Sequence, residues 1–185
     1  MKLPESPLVL PKLPYELYAL EPIISEESMS VHYFGHHKGY VDNYNKLLLE
    51  EGKKEDKEFN YNGHILHSLL WKNLCTFPSK PSKKTVELIE TRYPSFDYFF
   101  ESVINIGASF HGSGWLYVDS ELNLKTIPNH EVHLVNSMPL LIIDLWEHYY
   151  YIDWHNDKKG FLNNLDKIIN WNVISKRYHK RKLDF

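Results

Sequence analysis

The chain predicts an α+β fold, with an N-terminal antiparallel helical hairpin followed by a C-terminal α/β lobe carrying a three-stranded antiparallel sheet. Three observations predict it. Helix-like segments fill the first half, and β-rich apolar runs appear only after the Gly112-Ser113-Gly114 punctuation. A short charged connection joins the first two helices, which makes them antiparallel neighbours. Pro78 and Pro81 then mark a linker, so the expected domains are residues 1–78 and 79–185.

Taken in order, residues 1–24 read as an extended arm, because Pro4, Pro7, Pro11, Pro14 and Pro22 each oppose helix continuation. Ser25 is the expected N-cap of the first helix, with Glu26 and Glu27 in the turn where the helix dipole favours acids. That helix runs to about Glu51 and closes at Gly52. The connection Lys53 to Glu58 leads into a second helix from about Asn60 to Cys75. Further helices are expected near 82–91 and 95–107, the latter opened by Pro94-Ser95. Trp115–Val118 and Leu122–Ile127, flanking Asp119-Ser120-Glu121, predict a β-hairpin, and Leu140–Ile143 a third strand. Residues 158–178 predict a last helix.

Composition excludes several function classes. A net charge of −3 and a pI near 6.4 lack the basic face of a general nucleic-acid binder. The one basic run, 176–182, lies at the C-terminus, where cations suit a helix end. No stretch reaches the roughly 18 apolar residues of a membrane span. The single cysteine, Cys75, excludes an intrachain disulfide and fits a reducing compartment. The N-terminal residues have neither a secretory apolar core nor transit-peptide amphipathicity. The expectation is therefore a cytoplasmic protein with no nucleic-acid and no membrane partner; a mitochondrial matrix location is expected instead if a leader has been removed.

The chemistry gathers on a few spacings. His32, His36 and Tyr40 recur at i, i+4 and i+8 on the first helix, and His67 and Trp71 repeat the interval on the second. Asp144 and His148 come just after the third strand, where backbone is well fixed. Three imidazoles and a carboxylate suit Mn, Fe or Zn. These spacings alone reach a mononuclear metal site between a helical lobe and an α+β lobe. Among the eleven histidines, His37, His64, His133, His155 and His179 have no partner that the sequence names.

Beyond spacing, five segments carry a resemblance: Leu13-Pro14-Tyr15 with Leu20-Glu21-Pro22; Met29-Ser30-Val31-His32 with His36-His37 and Tyr40-Val41; Asn62 to Trp71; Gly112-Ser113-Gly114-Trp115; and Asp144-Leu145-Trp146-Glu147-His148-Tyr149-Tyr150-Tyr151. In this order they resemble the iron/manganese superoxide dismutases over nearly the whole chain. The resemblance implies that His32, His67, Asp144 and His148 bind one Mn or Fe ion per subunit, with a solvent molecule as fifth ligand. It implies that Tyr40 gates the substrate channel and joins a proton relay, with His36 beside it. Trp71, Trp115 and Trp146 would wall the cavity. Glu147 and Tyr151 would reach across a homodimer interface, to the partner's His148 and the partner's His36 respectively. The substrate implied is superoxide. Redox cycling between M(III) and M(II) is closed to zinc.

The sequence also departs from the pattern. His130 stands where manganese-type members carry a glutamine that hydrogen-bonds the metal-bound solvent. The iron-type source of that glutamine corresponds to Gly63, which has no side chain to offer. His130 is therefore the expected outer-sphere group, against the competing expectation of a loop histidine turned to solvent. Phe34-Gly35 replaces a Gly-Lys, Lys158-Lys159 replaces an Arg-Pro, and Tyr117 replaces a tryptophan. A shortened 50–60 segment favours a dimer over a tetramer. Two other readings stand beside the redox enzyme: a non-catalytic relative, and a zinc hydrolase using Glu147 as base.

Overall fold

In a computed structural model the described residues are 3–77, 79–131 and 139–180. Pro78 at the expected domain boundary, His133, and Arg181 and Lys182 of the basic run lie outside them.

The arm is extended apart from one 3₁₀ turn, Leu17–Leu20. It lies along the first helix: Tyr33 donates to the Pro11 carbonyl at 2.7 Å, and Asn45 accepts the Leu8 N–H at 2.7 Å while donating to the Leu8 carbonyl at 2.9 Å. Ser25 caps as expected, its Oγ accepting the Ser28 N–H at 3.1 Å. The helix then runs through α1 (Glu26–Ser30), a π-helical segment (Val31–His37) and α2 (Lys38–Leu49). The π segment was not expected, since side-chain periodicity does not distinguish it from α-helix over so few residues.

The second helix, α3 (Lys54–Asn73), begins earlier than the expected Asn60. Residues taken for a charged connection are good helix formers, with Glu55 and Asp56 in the first turn and Lys54 paired to Glu58 at 3.4 Å. Two more helices come next, α4 (Lys83–Glu90) and α5 (Phe96–Ser109), capped by Ser82 and Ser95.

The sheet consists of β1 (Gly114–Val118), β2 (Leu124–Pro128) and β3 (Leu141–Asp144) among the described residues. Its order is β2-β1-β3, antiparallel throughout, and Trp115 pairs with Ile127 on one side and Asp144 on the other. The second strand starts later than the expected Leu122. Asp119 Oδ1 accepts the N–H groups of Glu121 and Asn123, holding a turn in which Leu122 has φ +64.

Two short helical pieces come after β3, a 3₁₀ turn Glu147–Tyr149 and α6 (Tyr151–Trp154); neither was expected. The expected helix 158–178 is broken into α7 (Lys158–Asn164), a 3₁₀ turn Leu165–Lys167, and α8 (Trp171–Lys180). The break has a cause in the pairing of this segment with the end of α3. The Ile168 carbonyl accepts the Cys75 N–H at 2.8 Å, and the Asn170 N–H donates to the Asn73 carbonyl at 2.7 Å. One buried apolar cluster spans both halves, from Leu66 and Leu69 of α3 through Phe99 of α5 to Leu116 and Ile143 of the sheet. Among the described residues no helix is long and apolar enough to cross a membrane.

Candidate metal centre

Where α3 meets β3 and the first helix, four side chains converge. His32 comes from the π segment, His67 from α3, Asp144 from the last position of β3, and His148 from the turn after it. Their ligand-type atoms all lie within 4.8 Å of one another. Asp144 Oδ2 stands 3.3 Å from His32 Nε2, 3.4 Å from His148 Nε2 and 3.9 Å from His67 Nε2. Despite this closeness, all four atoms are buried without a well-formed hydrogen bond among the described residues. An unpaired buried polar atom is costly, and four aimed at one point are better satisfied by a cation.

The surroundings prepare these atoms to donate. His67 Nδ1 gives its proton to the Gly63 carbonyl at 2.6 Å, which leaves the Nε2 lone pair facing the cluster. Asp144 Oδ1 accepts the Trp146 N–H at 2.8 Å, so Oδ2 remains for the centre. Burial pushes His32 down to about 4 against the opposing pull of Asp144, and it pushes His67 well below its ordinary value, so both rings are neutral at pH 7. Burial alone would raise the Asp144 carboxyl, but His148 and His32 outweigh it and keep Asp144 ionised far below the usual range. Three imidazoles and one carboxylate fit a borderline ion such as iron, manganese or zinc.

Around this group the other candidates fall at different distances. Trp71 lies 4.9 Å from His32, Trp115 lies 5.1 Å from His67, and Trp146 lies 5.5 Å from His148, centroid to centroid. Tyr40 is 5.3 Å from His67, and His36 stacks on His148 at 3.8 Å and 15°. Burial, and then the Asp144 charge, push the Tyr40 hydroxyl up, so it keeps its proton at neutral pH. Glu147 and Tyr151 are exposed and do not join the cluster.

His130 is not turned to solvent; it is 1% exposed, which overturns the loop expectation. Its ring lies 4.7 Å from Tyr40, 5.1 Å from Trp146 and 6.2 Å from His67, and among the described residues only the Phe59 backbone comes near its ring nitrogens, without well-formed hydrogen-bond geometry. Gly63 makes the room. A Cβ there would meet His130 Cε1 and Tyr40 Cγ at 2.9 Å each, so a side chain at 63 and the His130 ring exclude each other. Asn62 donates to the His130 carbonyl at 2.8 Å and pins the loop over α3.

Several neighbours escaped the sequence reading. Phe59 lies 4.6 Å from His130; it falls between the expected connection, which ends at Glu58, and the expected helix start at Asn60. Tyr149, 5.0 Å from His32, sits in the quoted motif but had no assigned role. His37 and His64, for which the sequence names no partner, bond to each other at 2.9 Å, and Trp71 Nε1 donates to His37 Nδ1 at 2.8 Å. No spacing rule pairs histidines on two different helices. Lys158, standing where an arginine was expected, donates to the Phe110 carbonyl at 3.1 Å. Burial lowers its pKa, opposed by Glu147 and Asp144.

Fold and site together define a mononuclear metalloprotein, with the centre held between a helical hairpin and the end of a sheet strand. Comparison with known proteins gives the family. The profile described as iron/manganese superoxide dismutases, alpha-hairpin domain, matches residues 8–75, and that of the C-terminal domain of the same family matches residues 81–177. An iron superoxide dismutase of Saccharolobus solfataricus is 38% identical, covering 92% of this chain and 93% of its own length. A manganese enzyme of Chlamydia muridarum is 35% identical over 91% of this chain and 94% of its own. The mitochondrial manganese enzyme of Drosophila melanogaster is 34% identical over 94% and 89%. The chain belongs to the iron/manganese superoxide dismutase family.

Proposed function

We propose that this protein is a superoxide dismutase, converting two superoxide ions and two protons into O2 and H2O2. One iron or manganese ion would be held by His32, His67, Asp144 and His148. The observation that carries the reading is the set of four unpartnered, buried ligand atoms within 4.8 Å of one another, in a chain of this family. When bound, the ion supplies a one-electron couple between its trivalent and divalent states.

The protein's own groups account for the rest of the reaction. A small anion is drawn to a site where three neutral imidazoles and one carboxylate leave a bound cation uncompensated. Trp71, Trp115 and Trp146 restrict the space to a small substrate and exclude water, which strengthens every hydrogen bond inside. Tyr40 keeps its hydroxyl proton at neutral pH and stands where it can pass protons inward, with His36 beside it. His130 is neutral, pushed down to about 4 mainly by burial, so one of its nitrogens can donate and the other accept. We assign it the outer-sphere role, orienting solvent at the centre.

We further propose a homodimer in which Glu147 and Tyr151 form the bridge. Both are exposed on the single chain, Tyr151 by 48%, immediately beside the ligand His148. The assigned structural units are residues 1–78 and 79–185, supported by profile matches that end at 75 and resume at 81. A single cysteine supports a reducing compartment, the cytoplasm or a mitochondrial matrix. The acidic net charge speaks against a nucleic-acid partner.

The test is metal analysis and then decay of pulse-generated superoxide on protein loaded separately with iron and with manganese. About one ion per chain and catalytic removal by at least one form are expected. Inactivity of both loaded forms would sink the reading.

A further inference from the structure

A cleft of about 400 Å3 opens between α4 and α8, and none of the four metal-ligand residues lines it. Thr85 of α4 donates to the Trp171 carbonyl at 3.2 Å and ties the starts of the two helices together. Lys84 of α4 lines the cleft on one side, and Asn172, Ser175, Lys176, His179 and Lys180 line it from α8. These α8 residues recur at i, i+3, i+4, i+7 and i+8, so they share one helix face. Among the described residues no carboxylate side chain lines the space, in a chain whose net charge is −3.

The lysines here depart from a pattern seen elsewhere on the surface. Lys38, Lys46, Lys54 and Lys83 each pair with an acid four residues on, and Lys125 pairs with Asp119. Lys84, Lys176 and Lys180 have no ion-pair partner among the described residues. Lys176 and Lys180 stand at i, i+4 on one face, where like charges destabilise a helix. Lys84 sits in the first turn of α4, which holds no acid, at the end where the helix dipole disfavours a cation. The dipole of α8 favours a cation in its last turn, but that accounts for Lys180 alone. An anion in the cleft would offset all of these repulsions at once.

We propose that this cleft binds an oligophosphate, a chain of two or more phosphate groups, either free or as the end of a nucleotide. The rise of an α-helix sets Lys176 and Lys180 about 6 Å apart along the axis. Each ammonium can therefore meet a different phosphate of one chain, while Lys84 closes on it from α4. Asn172, Ser175 and His179 add further donors, which suit phosphoryl oxygens. Apart from the His179 ring, no aromatic side chain among the described residues lines the cleft. A nucleotide base therefore finds little to stack on, and the phosphates carry the binding. The site shares no residue with the metal centre, so it stands or falls separately from superoxide removal.

Tripolyphosphate is the probe, titrated calorimetrically into the metal-loaded protein at low ionic strength, where screening is weak. Saturable one-to-one binding is expected, at least about tenfold tighter than that of sulfate. ATP and GTP should bind alike, within about threefold of each other. Affinities matching tripolyphosphate would mark nucleotide ends as occupants, and much weaker ones would mark the free chain. Lys84→Gln and Lys176→Gln should each weaken tripolyphosphate about fivefold or more. Lys83→Gln removes the same charge next door but does not line the cleft, and should change affinity less than about twofold. Metal content and superoxide removal should match the parent in all three variants. Absence of saturable binding, sulfate binding as tightly, a larger preference between ATP and GTP, or equal weakening by Lys83→Gln and Lys84→Gln would each overturn the proposal. So would a single-stranded oligonucleotide binding more tightly than tripolyphosphate, which would make the cleft a nucleic-acid contact.

Discussion

In the helical hairpin His32, His37, His64 and His67 are all 9% exposed or less, whereas the β3 run Leu141, Ile142 and Ile143 is equally buried and wholly aliphatic. The two halves spend their interiors differently. The hairpin's buried imidazoles are stable only while neutral and partnered by a carbonyl, by one another, or by an ion. Strands β1 and β3 bury chiefly apolar side chains, and β3 contributes Asp144 by ending at the right place. The hairpin is an arrangement of donors that a change of protonation can undo; the β1 and β3 pair is a packed support that buries no imidazole of its own.

The contrast predicts effects of very different size and kind. His67→Ala removes a ligand whose orientation is fixed by Gly63, so metal content should fall from about one ion per chain to near zero with helicity retained; full occupancy would break the comparison. Phe99→Ala, in the apolar half and 1% exposed, should cost about 3–5 kcal/mol of stability in a denaturant melt. Any metal bound by the folded fraction should be held as in the parent.

Acid should act on the hairpin in the third experiment. Burial pushes His37 down to about 3 and His64 down to about 4, while the unfolded chain protonates such rings near 6.5. Between these values the unfolded state binds more protons, so stability is full above about pH 6.5 and is lost as the pH falls toward 4. Hydrogen exchange at pH 7.5 and pH 5 should show the loss of protection concentrated in α2 and α3. Equal loss in β1 and β3 would mean that the halves are not distinct in this respect.

The smallest effect expected is that of Gly63→Ala, which must displace the His130 or Tyr40 ring by a few tenths of an ångström. Activity should fall several-fold with metal retained. Adding His130→Ala should reduce the loss caused by Gly63→Ala, because the Tyr40 ring, which the new Cβ also meets at 2.9 Å, can then shift into the vacated space. Additive losses in the double variant would refute that competition.

How much of this could be read in advance differs between the halves as well. The hairpin, the three-stranded sheet and the convergence of His32, His67, Asp144 and His148 were legible because caps, period and ordered motifs are local signals. The start of α3 was misplaced because Lys54–Glu58 is charged enough to pass for a loop, although its residues favour helix. The broken C-terminal helix was missed because its interruption depends on Cys75 and Asn73, far away in sequence. The pairing of His37 with His64 was illegible for the same reason. His130 could be suspected only from the residue types at 63 and 130; that they share one space is a fact of three dimensions.

The π-helical segment Val31–His37 has a consequence for how this chain can change. Each residue of an α-helix advances the side chains by roughly 100° about the axis. A wider turn within the helix therefore sets the angular phase between the residues before it and those after it. Tightening it into ordinary α-helix by deleting a residue such as Gly35 would turn His32 away from the point where it meets Asp144, while Tyr40 kept its place beside α3. The length of this helix between His32 and Tyr40 is locked, and an insertion or deletion there should be tolerated far less well than one in the 50–53 turn.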